Sequence, residues 1–246
     1  LLTKVGLYSI IRTYGLFYYE SNFIKSYLLI LGAISIIAGC IGAIYQKDLK
    51  QIVVFNIVIS LGVMVCGTAT LNTFGIKGAL FYAVNDILLK AALFIIVGLI
   101  IYVSGVKYIQ KCGLINKYPL LGWTYFIVVL SLAGVPPFSG FYGKALIIKG
   151  LVANNNTFIA ILVALSGLVV FYSLIKVFLN VFYDNINKSL ILKPLPKGVQ
   201  IPLIAIVAIA LIIGVSSNLL DGFFDKGIQM ILNPQHYIDL VLKKGA

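Results

Sequence analysis

Two charged residues, Asp86 and Lys90, stand inside an apolar run from Gly78 to Val103 that is long enough to cross a bilayer as a helix. The neighbouring lysines, Lys77 and Lys107, fall outside the run. At 1.5 Å per residue each end of the run lies roughly 20 Å from Lys90, further than an aminobutyl chain can snorkel. A lysine at the centre of a spanning helix costs about 2.5–3.5 kcal/mol, whereas each Leu or Ile returns about 0.3–0.6, so this one residue offsets roughly six favourable neighbours. A charge retained at that cost points to function. Lys4 and Lys144 repeat the anomaly in other apolar runs.

The rest of the chain is equally apolar. Hydrophobic residues make up 61%, charged residues 11%, and the mean hydropathy is +1.07. A soluble domain of this composition would lack the polar groups its surface needs, so the chain is read as a multi-pass membrane protein. Its apolar stretches are too long for buried strands and lack the alternation of a membrane barrel. The fold class is therefore all-α, a polytopic helix bundle. Seven segments are expected, at 1–19, 27–45, 51–71, 78–103, 119–149, 156–183 and 199–220. Residues 1–220 form one membrane domain, and 221–246 read as an amphipathic tail on the membrane surface or on a partner. The chain starts at Leu1, already inside an apolar segment, and reads as a fragment with residues upstream.

The net charge of +12 does not indicate nucleic acid, because the basic residues form no patch with aromatics. They alternate between loops instead. Lys47 and Lys50, then Lys107, Lys111 and Lys117, then Lys188, Lys193 and Lys197 fall on one side, against Lys25 and Lys77 on the other. The positive-inside rule makes the lysine-rich loops cytoplasmic, which sends the first helix from inside to outside and leaves the tail after 220 outside. Cys40, Cys66 and Cys112 lack metal-ligand spacing and read as free thiols. His236, the one histidine, sits in the tail and reads as solvated or interfacial.

The fifth segment is too long for one straight span and carries Gly134, Pro136, Pro137 and Gly140 near its middle. Two successive prolines remove two amide donors, leaving carbonyls one turn earlier without partners, which predicts a broken helix. Such helices line ion paths in transporters. Lys144 follows the break by one to two turns. Of the seven acidic residues only Asp86 is immersed; Glu20, Asp48, Asp184, Asp221, Asp225 and Asp239 fall at segment ends or in loops. Asp86 stands four residues before Lys90, so the two share a helix face and can pair. Lys176 lies close enough to a segment end to snorkel, as does Lys149. Asn56 and Ser60, one turn apart in the third segment, offer hydrogen bonds to a water file or to ordinary helix contacts. Buried lysines suit proton transfer, because burial disfavours the ammonium and brings gain and loss of a proton closer in free energy.

These residues resemble a known family, the antiporter-like subunits shared by Mrp cation/proton antiporters and respiratory complex I. KDLKQIVVFNIVISLG at 47–62 resembles the family's loop-helix signature, NDILLKAALF at 85–94 its central lysine helix and GVPPFSGFYGK at 134–144 its broken helix. LLTKVGLYSIIR at 1–12, GLINKYPLLGW at 113–123 and NPQHYIDLVL at 233–242 look like the D-type branch of the Mrp subunits. The resemblance implies two inverted five-helix repeats in a fourteen-helix subunit, with this chain as helix 8 onward. It places Lys90 as the central proton relay, Lys144 at the end of the lateral path and Lys4 at the entry to the next half-channel. Asp86 would tune Lys90 or take part in the cation site together with Asn85, Asn56 and Ser60. Asn85 and Asn56 stand where relatives often carry His, which departs from a histidine-assisted relay. The implied activity is exchange of cytoplasmic sodium for external protons within a hetero-oligomeric antiporter in the lipid bilayer, with no bound cofactor and no catalytic residues. Two alternatives are a proton-pumping subunit of a complex I-like oxidoreductase or membrane hydrogenase, and a structural scaffold.

Overall fold

The computed structural model describes residues 2–18, 21–183 and 193–215, together with Ile228 and Ile231. Among these residues the architecture is a helix bundle without a sheet; one isolated bridge pairs Asp48 with Tyr108. The helices are α1 (Leu2–Phe17), α2 (Asn22–Tyr45), α3 (Leu49–Ala69), α4 (Thr73–Ser104), α5 (Pro119–Ala133), α6 (Ser139–Ala153), α7 (Thr157–Val177) and α8 (Lys197–Val215). A π-helical turn, Phe178–Tyr183, continues α7, and a short 3-10 turn covers Leu114–Asn116. Four of the continuous helices are long and apolar enough to span a bilayer, at Asn22–Tyr45, Leu49–Ala69, Thr73–Ser104 and Thr157–Tyr183.

The seven expected segments are all present, with two displaced starts. The second and fourth were expected from 27 and 78, at the first uninterrupted apolar residue, but α2 starts at Asn22 and α4 at Thr73. Side-chain caps decide this. Ser21 Oγ accepts from the Ile24 amide at 3.5 Å, and Asn72 Oδ1 accepts from the Gly75 amide at 2.7 Å. Both caps lie upstream of the lysines that masked them, so Lys25 rides on the first turn of α2 and Lys77 on the second turn of α4. The segment expected at 119–149 is two helices, α5 and α6, separated at 134–138. The last helix is described to Val215, and Glu20, Asp184, Lys188, residues 216–220, the tail from Asp221 with Asp225 and Asp239, and His236 lie outside the described residues.

Loop contacts fix which ends of the helices lie together. The Leu49 amide donates to the Lys107 carbonyl at 3.0 Å, the Ile109 amide to the Lys47 carbonyl at 2.8 Å, and the Lys193 amide to the Val103 carbonyl at 3.0 Å. Three lysine-bearing loops are thereby tied together at one end. At the other end Asn72 Nδ2 donates to the Gly150 carbonyl at 2.7 Å, and Asn154 Nδ2 donates to the Thr70 carbonyl at 2.6 Å.

Helix α4 is central, packed against α3, α5, α6 and α8. Its interior face carries Leu89, Leu93 and Ile96, each fully buried. Helices α2 and α3 approach closely enough that a methyl group on Gly62 would stand 2.7 Å from the Gly32 carbonyl. The outward faces of α2 and α7 present Ile30, Ile34, Ile41, Leu165 and Leu168, as lipid-facing or partner-facing surfaces do.

Candidate functional site: a carboxylate between two lysines and a lysine at the helix break

Asp86 is fully buried, at 0% exposure, and two lysines approach it from different helices. Lys4 Nζ on α1 lies 2.6 Å from Oδ2. Ser60 on α3 donates its hydroxyl to the same oxygen at 3.1 Å. Lys90 Nζ, one turn further along α4, lies 3.9 Å from Oδ1, within ion-pair range but beyond a hydrogen bond. Oδ1 has no hydrogen-bond partner among the described residues. The helical spacing of Asp86 and Lys90 thus brings them together as expected, while the tighter partner is Lys4, supplied by the packing of α1. With both amines charged the three groups sum to +1, and loss of one proton makes the cluster neutral.

Lys144 occupies a separate position. Its ammonium donates to the Leu132 carbonyl at 2.9 Å and the Ala133 carbonyl at 2.8 Å. In an unbroken helix those carbonyls would accept from the amides of residues 136 and 137, which are prolines here and have none. The lysine therefore replaces both missing donors, and its charge sits at the negative end of the α5 dipole. The Gly134 amide donates back to Ser131 at 3.2 Å and the Val135 amide to Leu130 at 3.1 Å, so the rest of the α5 terminus is also capped. Gly134 adopts a left-handed φ of 84° at the cap, which glycine tolerates without strain. A cavity of about 500 Å³ beside Lys144 is lined by Ala133, Gly134, Phe141, Lys149, Ala164 and Gly167, among others. Lys149 is exposed, with its ammonium 3.9 Å from the centre of the Phe74 ring.

The remaining expected residues divide between two further contacts. Asn85 turns away from the lysine cluster, and its Oδ1 accepts from Ser139 Oγ at 2.5 Å. Ser139 in turn lies 3.0 Å from Ser131 Oγ across the break. Asn56 Nδ2 donates to Ser173 Oγ on α7 at 3.1 Å. Among the described residues no hydrogen bond or ion pair joins Lys90 directly to Lys144. Ser131, Ser139 and Ser173 were not singled out from the sequence. A serine in an apolar helix reads as ordinary packing, and only the position of Ser139 just after the double proline gave any signal.

The chain's relatives agree with this architecture. Residues 1–169 match the family model described as NADH:quinone oxidoreductase/Mrp antiporter, TM. The chain is 36% identical to a D-type Na(+)/H(+) antiporter subunit of Bacillus subtilis (strain 168), over 99% of this chain and 50% of that protein. It is also 36% identical to the putative antiporter subunit mnhD2 of Staphylococcus aureus (strain MRSA252), over 98% of this chain and 49% of that one. It spans about half the length of the curated relatives it matches. Among solved structures, a chain of the Mrp complex from Dietzia sp. DQ12-45-1b superposes with a TM-score of 0.90 at 20% identity, covering 97% of this chain and 53% of that one. A chain of respiratory complex I from Thermus thermophilus superposes with a TM-score of 0.82 at 24% identity, covering 94% and 48%. A multi-pass helix bundle with a broken span and this sequence match belongs to the NADH:quinone oxidoreductase/Mrp antiporter transmembrane family, a family of membrane transporter subunits.

Proposed function

We propose that this chain is part of a subunit of a hetero-oligomeric monovalent cation/proton antiporter and that it carries protons through Lys4, Asp86 and Lys90, with Lys144 at the lateral end of the path. The observation that carries this reading is the buried carboxylate held between two amines, 2.6 Å and 3.9 Å away. A purely structural pair would need one cation for one anion, and an apolar replacement would serve stability as well or better. The second amine gives the cluster two charge states separated by one proton. Sodium and protons enter as substrates through the likeness to a Na(+)/H(+) antiporter component. Lysines repel sodium, so a sodium site would draw on Asp86 or on carboxylates elsewhere in the assembly. The lysine-rich end, tied together by the loops at 46–48 and 105–118, is assigned to the cytoplasm by its positive charge.

The decisive experiment measures sodium-dependent proton flux in vesicles carrying the complete complex, without any electron donor. Wild-type flux with loss in Lys90→Ala supports the antiporter relay. Full flux in Lys90→Ala rejects the relay, and flux that appears only with an electron donor assigns the chain to a redox-driven pump instead.

A further inference from the structure

The ammonium of Lys144 has neighbours of two kinds. On one side lies the cavity of about 500 Å³, bounded by Ala164 and Gly167 of α7. On the other side, 5.6 Å from Nζ, is the centre of the Tyr82 ring of α4. Tyr82 is 2% exposed and stands one turn before Asp86, on the same face of the helix. Two of the three ammonium N–H groups donate to the Leu132 and Ala133 carbonyls, and among the described residues Lys144 makes no third hydrogen bond. Those carbonyls need two donors, which an uncharged amine also carries. The attraction of the ring depends on the charge itself. An aromatic face draws a cation lying within about 6 Å of its centre, most strongly where water is excluded.

Backbone packing fixes this placement. A methyl group on Gly143, the residue before Lys144, would stand 2.8 Å from Tyr82 Cβ and 3.0 Å from its Cα. One turn before Tyr82, a methyl group on Gly78 would stand 2.7 Å from the Ile147 nitrogen and 2.9 Å from the Gly143 carbonyl. Helices α4 and α6 thus touch backbone to backbone at two glycines, and neither the ring nor the lysine can drift without opening that seam. Filling the seam would require only bulk, which a leucine also supplies.

We propose that Tyr82 is a positioning residue for Lys144, its ring face rather than its hydroxyl holding the ammonium on the α4 side of the break. The proposal rests on the relay reading above for what the hold serves. An ammonium drawn over this ring is turned towards the helix that carries Asp86 and Lys90, whereas the α5 carbonyls alone would keep it at the break.

The test uses the complete complex with phenylalanine, then its mono-, di- and trifluorinated forms, incorporated at position 82. Fluorine withdraws charge from the ring face and changes its size little, so the series weakens the attraction while the seam stays filled. Tyr82→Phe should remain near wild type. The unfolding midpoint of the solubilised complex should then fall with each fluorine, by about 2–4 °C in all. It should not fall when the series is repeated in a Lys144→Met background, because the cation is gone. Proton flux in vesicles should decline in the same order, by about fivefold at the trifluorinated ring. A midpoint that ignores fluorine, or falls equally in Lys144→Met, overturns the proposal, because a ring that only fills space gives no such grading. So does a Tyr82→Phe variant as damaged as Tyr82→Leu, which would assign the role to the hydroxyl. A graded midpoint that depends on Lys144, with flux unchanged throughout, sustains the hold and removes that lysine from the relay, so the two failures are distinguishable.

Discussion

Lys4 and Asp86, on the first and fourth helices, form the shortest ion pair among the described residues, at 2.6 Å. Lys90 shares a helix with Asp86 and lies further from it, at 3.9 Å. The cluster is therefore built by tertiary packing and only partly by helical spacing. Two amines compete for one carboxylate, each facing a different oxygen, and Ser60 adds its hydroxyl to the oxygen that Lys4 holds.

That arrangement predicts an asymmetry between removing one charge and removing two. Asp86→Ala leaves two ammoniums buried without a counter-charge and should destabilise the folded protein by about 3–5 kcal/mol. Asp86→Leu combined with Lys4→Met removes an opposed pair and should recover most of that stability, while proton flux stays abolished. Thermal unfolding of the detergent-solubilised complex, alongside flux in vesicles, checks both halves. Recovery of flux in the double variant would show that the pair serves stability alone.

Lys144 caps the broken span, and the same kind of comparison separates that task from the proposed part in proton flux. Its ammonium supplies the donors that Pro136 and Pro137 withhold from Leu132 and Ala133. Lys144→Met should cost about 1.5–3 kcal/mol for each charged hydrogen bond lost, because two carbonyls become unpaired in an apolar setting. Lys144→Arg keeps a donor and a charge, and the adjacent cavity of about 500 Å³ gives the larger head group room. Stability should stay within about 1 kcal/mol of wild type in that variant, since the charge-assisted bonds are retained. Flux should nevertheless fall, since a guanidinium does not release its proton in a protein. Unchanged flux in Lys144→Arg would confine the residue to capping.

The parts of this molecule that the sequence discloses are those set by local chemistry. An apolar run long enough to span a bilayer needs no knowledge of its neighbours, so the segments and the membrane class are readable at once. The break at 134–138 is equally local, because a proline removes a donor from its own backbone. Lys4 as the tighter partner of Asp86 is not readable, since it depends on how α1 packs against α4. Ser173 and Ser139 stay hidden for a related reason. Each gains meaning only from an amide on another helix, Asn56 for one and Asn85 for the other. The helix starts at Asn22 and Thr73 were obscured because hydropathy marks where a lysine interrupts the run, whereas the backbone responds to the caps Ser21 and Asn72 upstream.

Closure of the broken span also depends on a residue with no side chain. A methyl group built on Gly140 would drive into the Ser131 carbonyl, which already accepts the Gly134 amide. Backbone cannot yield as a flexible side chain does, so Gly140→Ala should shift α6 away from α5 and cost about 1–3 kcal/mol. The Ser131 to Ser139 contact of 3.0 Å bridges the same gap and would lengthen with it. Reduced thermal stability together with reduced flux is the expected result. A variant with wild-type values for both would show that the two half-helices can separate without consequence.

Orientation in the bilayer gives the last prediction. The loop contacts gather Lys47, Lys107 and Lys193 at one end of the bundle, and the positive-inside rule assigns that end to the cytoplasm. Asn116, exposed in the long connection between α4 and α5, lies on that side; Asn155, exposed in the turn between α6 and α7, lies on the other. In a background with the native cysteines replaced, Asn116→Cys should react with an impermeant maleimide in inside-out vesicles only. Asn155→Cys should react in right-side-out vesicles only. Because α5 and α6 together make one crossing, the two positions must label from opposite faces whichever end is cytoplasmic. Labelling from the same face would mean that the break at 134–138 returns the chain to the side it came from, and the single broken span would have to be redrawn as a re-entrant hairpin.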